Sequence, residues 1–119
     1  MDRSFLEKNG VDVERGLELL GDMDMYNETM EDFLSEINEK YKNLKEFKEK
    51  EDMPNYAILV HSIKSDSKYL GFNKLAELSY DHELKSKDND LDYVNKNFES
   101  LDKEVNRIIG IIKEYWGKE

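Results

Sequence analysis

Apolar residues recur along this chain at spacings of three, four and one, and no segment alternates polar and apolar at strand period. The clearest stripe is Tyr26, Met30, Phe33, Leu34, Ile37, Tyr41, Leu44 and Phe47, which lies on one face of a helix that Asp22 or Asp24 can cap. Before it, Asp12 reads as the cap of a short helix through Leu17, Leu19 and Leu20, stopped by Gly21. The charged block KEFKEKED at 45–52 ends the long helix and turns the chain. Pro54 suits the first turn of a third helix, where its missing N–H costs nothing, and Gly71 is the natural residue to stop that helix after Leu70. A fourth helix is expected over roughly Asn73 to Ser86. Beyond the polar KDND turn, Leu91, Val94, Phe98, Leu101, Val105, Ile108, Ile112 and Trp116 mark a long final helix. Four longer amphipathic helices joined by short turns pack economically as an antiparallel four-helix bundle, with the short first helix over one end. The expectation is an all-α fold, with residues 1–119 forming one domain.

Composition narrows what such a bundle can do. Hydrophobic residues make up 38% and charged residues 39%, so the core is economical and the surface heavily charged. Six glycines and one proline leave few breaks, in keeping with long helices. The absence of cysteine removes disulfides, thiolate zinc sites and cysteine nucleophiles, and fits a cytoplasmic location. No apolar run approaches the ~18 residues of a membrane span, and the charged N-terminus lacks the core of a signal peptide. A net charge of −10 argues against binding a nucleic-acid backbone or an anionic membrane surface as the main task, and with no apolar span no membrane insertion is expected. Locally the balance reverses: from His61 to Lys74, Lys64, Lys68 and Lys74 face only Asp66.

The two histidines, His61 and His82, fall on different faces of their helices. Tyr56, Leu59, Val60, Ile63 and Leu70 form the apolar side of the third helix, and His61 points about 160° away from its middle. Its neighbours on the outer face are Ala57, Lys64, Ser65 and Lys68. His82 instead shares a face with Leu75, Leu78 and Ser79, which predicts a partly buried packing role. The segment HELKS at 82–86 resembles the phosphoacceptor box of sensor histidine kinases, but Lys87 stands where that box has proline, and no glycine-rich nucleotide loop is present. The segment DNDLDYVNKNFE at 88–99 places acids as a calcium loop does, yet has Tyr93 where the sharp turn needs glycine.

An outward imidazole is a nucleophile while uncharged, and Lys64, one turn along, can hold its ammonium beside whatever bonds to His61. A phosphoryl group, with nearly two negative charges, suits that setting. Ala57 and Ser65 add little bulk, so another protein could approach closely. No base, metal cage or nucleotide pocket accompanies these residues in the sequence, so a partner must complete the chemistry.

HSIKSDSKYLG at 61–71, followed by FNKLAEL, resembles the core motif of histidine-containing phosphotransfer domains. The family pattern is a histidine, lysine three residues on, glycine or another small residue at plus four, and glycine at plus ten. Here these are His61, Lys64, Ser65 and Gly71. The upstream VDVERGLELLGDMDMYNETMEDFL resembles the usual family start. The resemblance implies a four-helix bundle that relays phosphoryl groups between receiver domains of response regulators or hybrid histidine kinases. His61 would accept the group from a receiver aspartate and return it to another, and Lys64 would steady its oxygens. Ala57, Ile58, Ser65, Lys68 and Gly71 would form the docking surface. No cofactor is implied for this chain: magnesium would come with the receiver, and the protein would act as a monomer without kinase activity. Two alternatives remain at this stage. One is a non-catalytic helical interaction module, and the other is a kinase dimerisation fragment using His82.

Overall fold

The computed structural model describes residues 2–117, which form six α-helices and, among those residues, no strand. They are α1 (Arg3–Lys8), α2 (Val13–Leu20), α3 (Met23–Glu49), α4 (Met53–Leu70), α5 (Asn73–Lys87) and α6 (Leu91–Gly117). A 27-residue helix is about 40 Å long at the usual rise. Helices α3 and α6, with 27 residues each, therefore set the 41 Å long axis. Helix α3 packs on α4 and α6, and α5 packs on α4 and α6, so the four longer helices touch in a closed ring. The short α2 lies against α3 and α4, while α1 touches α2 and α6. The sequence predicted one short N-terminal helix and the structure has two. The RSFLEK segment of α1 is too short to show a helical period, and only Leu6 of it is buried.

Local chemistry sets the helix ends. The carboxylates of Asp12, Asp22 and Asp52 accept from the backbone N–H of Arg15, Met25 and Asn55 at 3.1, 2.8 and 3.3 Å. Each thereby satisfies an otherwise unpaired donor in the first turn of α2, α3 or α4. Pro54 lies in the first turn of α4, as expected. Helix α4 ends with Gly71 at φ +78°. There the Gly71 N–H bonds Lys68 O at 3.3 Å and the Phe72 N–H bonds Ser67 O at 2.9 Å, the paired bonds of a Schellman terminus.

The core is continuous along the ring, with Tyr26, Met30, Ile37 and Leu44 of α3 meeting Tyr56, Val60 and Ile63 of α4 and Leu101, Ile108 and Ile112 of α6. Small buried residues bring α4 and α5 together: Ala57 and Ser67 on one, and Ala76, Ser79 and Ser86 on the other. At the end of this seam α2 comes equally close. The Asp12 N–H bonds Gly71 O at 2.9 Å, and a Cβ on Gly71 would lie 2.1 Å from Asp12 O. A Cβ on Gly16 would lie 2.5 Å from the Tyr26 ring, whose hydroxyl donates to Leu70 O at 2.6 Å.

Gly71→Ala should therefore lower unfolding free energy by about 2–4 kcal/mol, combining a left-handed backbone with a backbone clash. Gly110, exposed within α6 with nothing near its Cβ position, is the control. Gly110→Ala should raise stability by about 0.5–1 kcal/mol. Denaturant unfolding of both variants checks the pair, and equal effects would contradict the packing described at Gly71.

Candidate functional site

His61 lies mid-way along α4 with its side chain 55% exposed, on the outer face the helical period assigned to it. The ring is not free, because α5 places Glu83 against it. Glu83 Oε2 lies 2.7 Å from His61 Nδ1 and accepts from Lys87 Nζ at 2.9 Å, while Oε1 accepts from Lys64 Nζ at 2.7 Å. An ionised carboxylate can only accept, so a neutral His61 ring donates its Nδ1–H and keeps its lone pair on Nε2.

Glu83 itself is buried, with its side chain 3% exposed. Burial pushes its carboxyl pKa up, but the bonds from Lys64, Lys87 and His61 outweigh this and bring it down to about 2. Helical spacing explains how it arrives there. Ala76, Ser79, Glu83 and Ser86 follow one another by three, four and three along α5, one acid in a row of small residues facing α4.

The outward docking residues expected from the sequence divide. Ile58 is 66% exposed, and Lys68 is also exposed. Ser65 is half-buried. Ala57 is buried, because the face of α4 opposite its own apolar stripe is partly covered by α5. Gly71 is buried too and serves the contact with Asp12, so it presents no surface to a partner. Lys64 is less open than expected: its side chain is 13% exposed, and its ammonium lies 5.1 Å from the Tyr80 ring centre as well as on Glu83. Sequence reasoning gave neither Glu83 nor Lys87 a part in the site. The small-residue row on α5, interrupted by one acid, was the available signal.

An apolar hollow of about 620 Å³ opens beside His61, with Met53, Pro54, Ala57 and Ile58 along α4 and Ser86 and Lys87 across from them. A second, of about 480 Å³, lies towards the C-terminal end of α4 and includes Ser65 and Lys68.

His82 has no such opening. Its side chain is buried, with Nδ1 2.8 Å from the Tyr56 hydroxyl and Nε2 3.2 Å from the Asn97 carbonyl. Both ring nitrogens are thus engaged inside the bundle, and burial lowers the pKa against the opposing Asn97 bond. The packing role expected for His82 is what the structure shows. The calcium-loop spacing at 88–99 has no loop to act in, since α6 begins at Leu91.

The family model for the Hpt domain matches residues 23–110. The chain belongs to the Hpt domain family. No curated protein and no solved structure matches it. Hpt domains act in phosphotransfer in two-component systems and interact with receiver domains, so membership gives this chain that general role. The match spans α3, α4 and α5 and most of α6, and leaves α1 and α2 outside. Among the described residues no helix of this Hpt domain is long and apolar enough to cross a membrane.

Two protonation events should destabilise this Hpt domain in acid. His82 is held neutral in the fold, so stability present above its ordinary value of 6.5 is lost as pH falls below it. Glu83 has its folded value lowered from 4.5 to about 2, so its contribution is intact above pH 4.5 and drains away between 4.5 and 2. Denaturant midpoints measured from pH 8 to 3 should fall in both windows. Glu83→Gln should lose the lower fall and keep the upper. A variant that retains the full slope below pH 4.5 would contradict the ionised Glu83 cluster.

Proposed function

We propose that His61 is the phosphoacceptor of this Hpt domain, taking a phosphoryl group from a receiver aspartate and passing it to the aspartate of another receiver. The observation that carries this reading is the open Nε2 of an imidazole whose Nδ1 is tied to a buried carboxylate. In the transfer, the Nε2 lone pair attacks phosphorus, the bond from phosphorus to the aspartyl oxygen breaks, and the aspartate leaves as a carboxylate. The ring keeps its Nδ1 proton and becomes an imidazolium, whose charge the Glu83 carboxylate balances across 2.7 Å. Return transfer runs the same step backwards.

Lys64 and Lys87 have a second part in this scheme. Each ammonium has three donors and uses one on Glu83, which leaves others for phosphoryl oxygens. With Glu83 ionised, the two lysines leave a local +1 to meet the incoming charge. Phosphoryl transfer depends chiefly on positioning and charge neutralisation, which this arrangement supports. The magnesium that such a reaction uses would be held by the receiver. The apolar hollow with Ile58 on its rim offers the receiver a surface beside the histidine.

A receiver phosphorylated by acetyl phosphate should label the protein at His61, giving an acid-labile, alkali-stable adduct. His61→Gln should abolish labelling and His82→Gln should retain it wherever the variant folds. Self-labelling with ATP alone would overturn the relay reading.

Lys64→Ala and Glu83→Gln test the surrounding charges. Each should slow transfer roughly ten- to a hundredfold, less than the loss of one electrostatic contact costs at a water-excluded site, because the His61 ring is half-exposed. Lys64→Ala should also cost about 1–3 kcal/mol of stability, because it strips a partner from a buried carboxylate. Single-turnover transfer and urea unfolding measure the two effects. Unchanged transfer in both variants would leave His61 without its proposed support.

A further inference from the structure

The second hollow has a wall that the family match does not include. Arg15 and Leu19 of α2 face Ser65, Lys68 and Tyr69 of α4 across it, and both α2 residues precede the matched span. We propose that α2 supplies a charge-selecting wall to the docking face, so that a receiver is recognised through a carboxylate seated beside an apolar side chain as well as through His61. The proposal rests on the phosphorelay reading and adds to it a determinant of which receiver binds.

Position is the first support. Helix α2 is seated on α4 through the close approaches at Gly16 and Gly71 and the Asp12 to Gly71 hydrogen bond, so Arg15 and Leu19 are presented at a fixed place. Ser65, one helical turn from His61, also lines this hollow, which makes the surface continuous with the phosphoacceptor face.

Chemistry is the second. Leu19 is 41% and Tyr69 48% exposed, an uncommon pairing of large apolar groups beside two cations. Arg15 is bonded to Glu18 at 3.0 Å, but both side chains are 58% exposed, so the pair is weak and leaves guanidinium donors free. Lys68 is paired with no carboxylate among the described residues. In a chain of net charge −10, a cationic hollow draws acidic partners to one spot while the rest of the surface repels them.

The test uses a receiver domain that exchanges phosphoryl groups with the parent, and phosphoramidate as a small donor that needs no docking. Arg15→Glu and Leu19→Gln are compared with Arg3→Glu, the same charge change on α1, with melting temperature as the folding control. Phosphoramidate should label His61 equally in all four proteins. Receiver binding should weaken roughly tenfold in Arg15→Glu at about 50 mM salt, and the deficit should shrink at about 0.5 M. Leu19→Gln should weaken binding at both salt concentrations, and Arg3→Glu should follow the parent. If Arg15→Glu and Arg3→Glu bind alike, the proposal is overturned while the phosphorelay reading stands. A parent dimer that Arg15→Glu dissolves would also overturn it, by making this face a contact between copies. If phosphoramidate labels His61 yet no receiver exchanges with the parent, the phosphorelay reading fails and takes the proposal with it.

Discussion

Burying an ionised carboxylate costs several kcal/mol unless charge and hydrogen bonds replace the lost water. Glu83 meets that demand with two ammonium groups and one imidazole, drawn from α4 and from its own helix. The arrangement ties the tautomer of His61 to the packing of α4 on α5. Neither helix can rotate without leaving the carboxylate short of partners. The tautomer that leaves Nε2 bare is thus selected by the fold, and not by a neighbour in sequence.

Close packing makes that geometry possible. A long side chain at Ala57, Ser67, Ala76 or Ser79 would push the two helices apart and move Glu83 out of reach of His61. The same demand extends to α2, where two glycines admit backbone to within a Cβ of ring and carbonyl. The face around His61 is therefore assembled from three helices, although the motif lies on one.

What the sequence made legible follows from what periodicity encodes. Spacing within one helix gave the outward direction of His61 and the inward direction of His82, and cap chemistry gave Asp12, Gly21, Asp22 or Asp24, and Gly71, but not the Asp52 cap of α4. Spacing assigned faces relative to each helix's own apolar stripe and carried no information on which neighbour covers the opposite side. Ala57 and Lys64 were expected at the surface for that reason, whereas Gly71 entered the docking surface only through the family resemblance. Glu83 stayed hidden because an acid in a helix of a highly charged protein reads as solvated until a second helix is laid against it. The six residues of α1 carry too little periodic signal to register at all.

The two imidazoles end in opposite tautomers. His61 carries its proton on Nδ1, facing Glu83, whereas the Asn97 carbonyl requires that His82 carry its own on Nε2 and accept from Tyr56 at Nδ1. Ring-nitrogen chemical shifts differ by tens of ppm between protonated and bare positions, so in a chain with only these two histidines each ring labels itself. Nitrogen-15 spectra can then test whether a phosphoryl group arrives at the bare nitrogen of His61, the site proposed for it. The buried ring of His82 serves as the internal standard in the same tube.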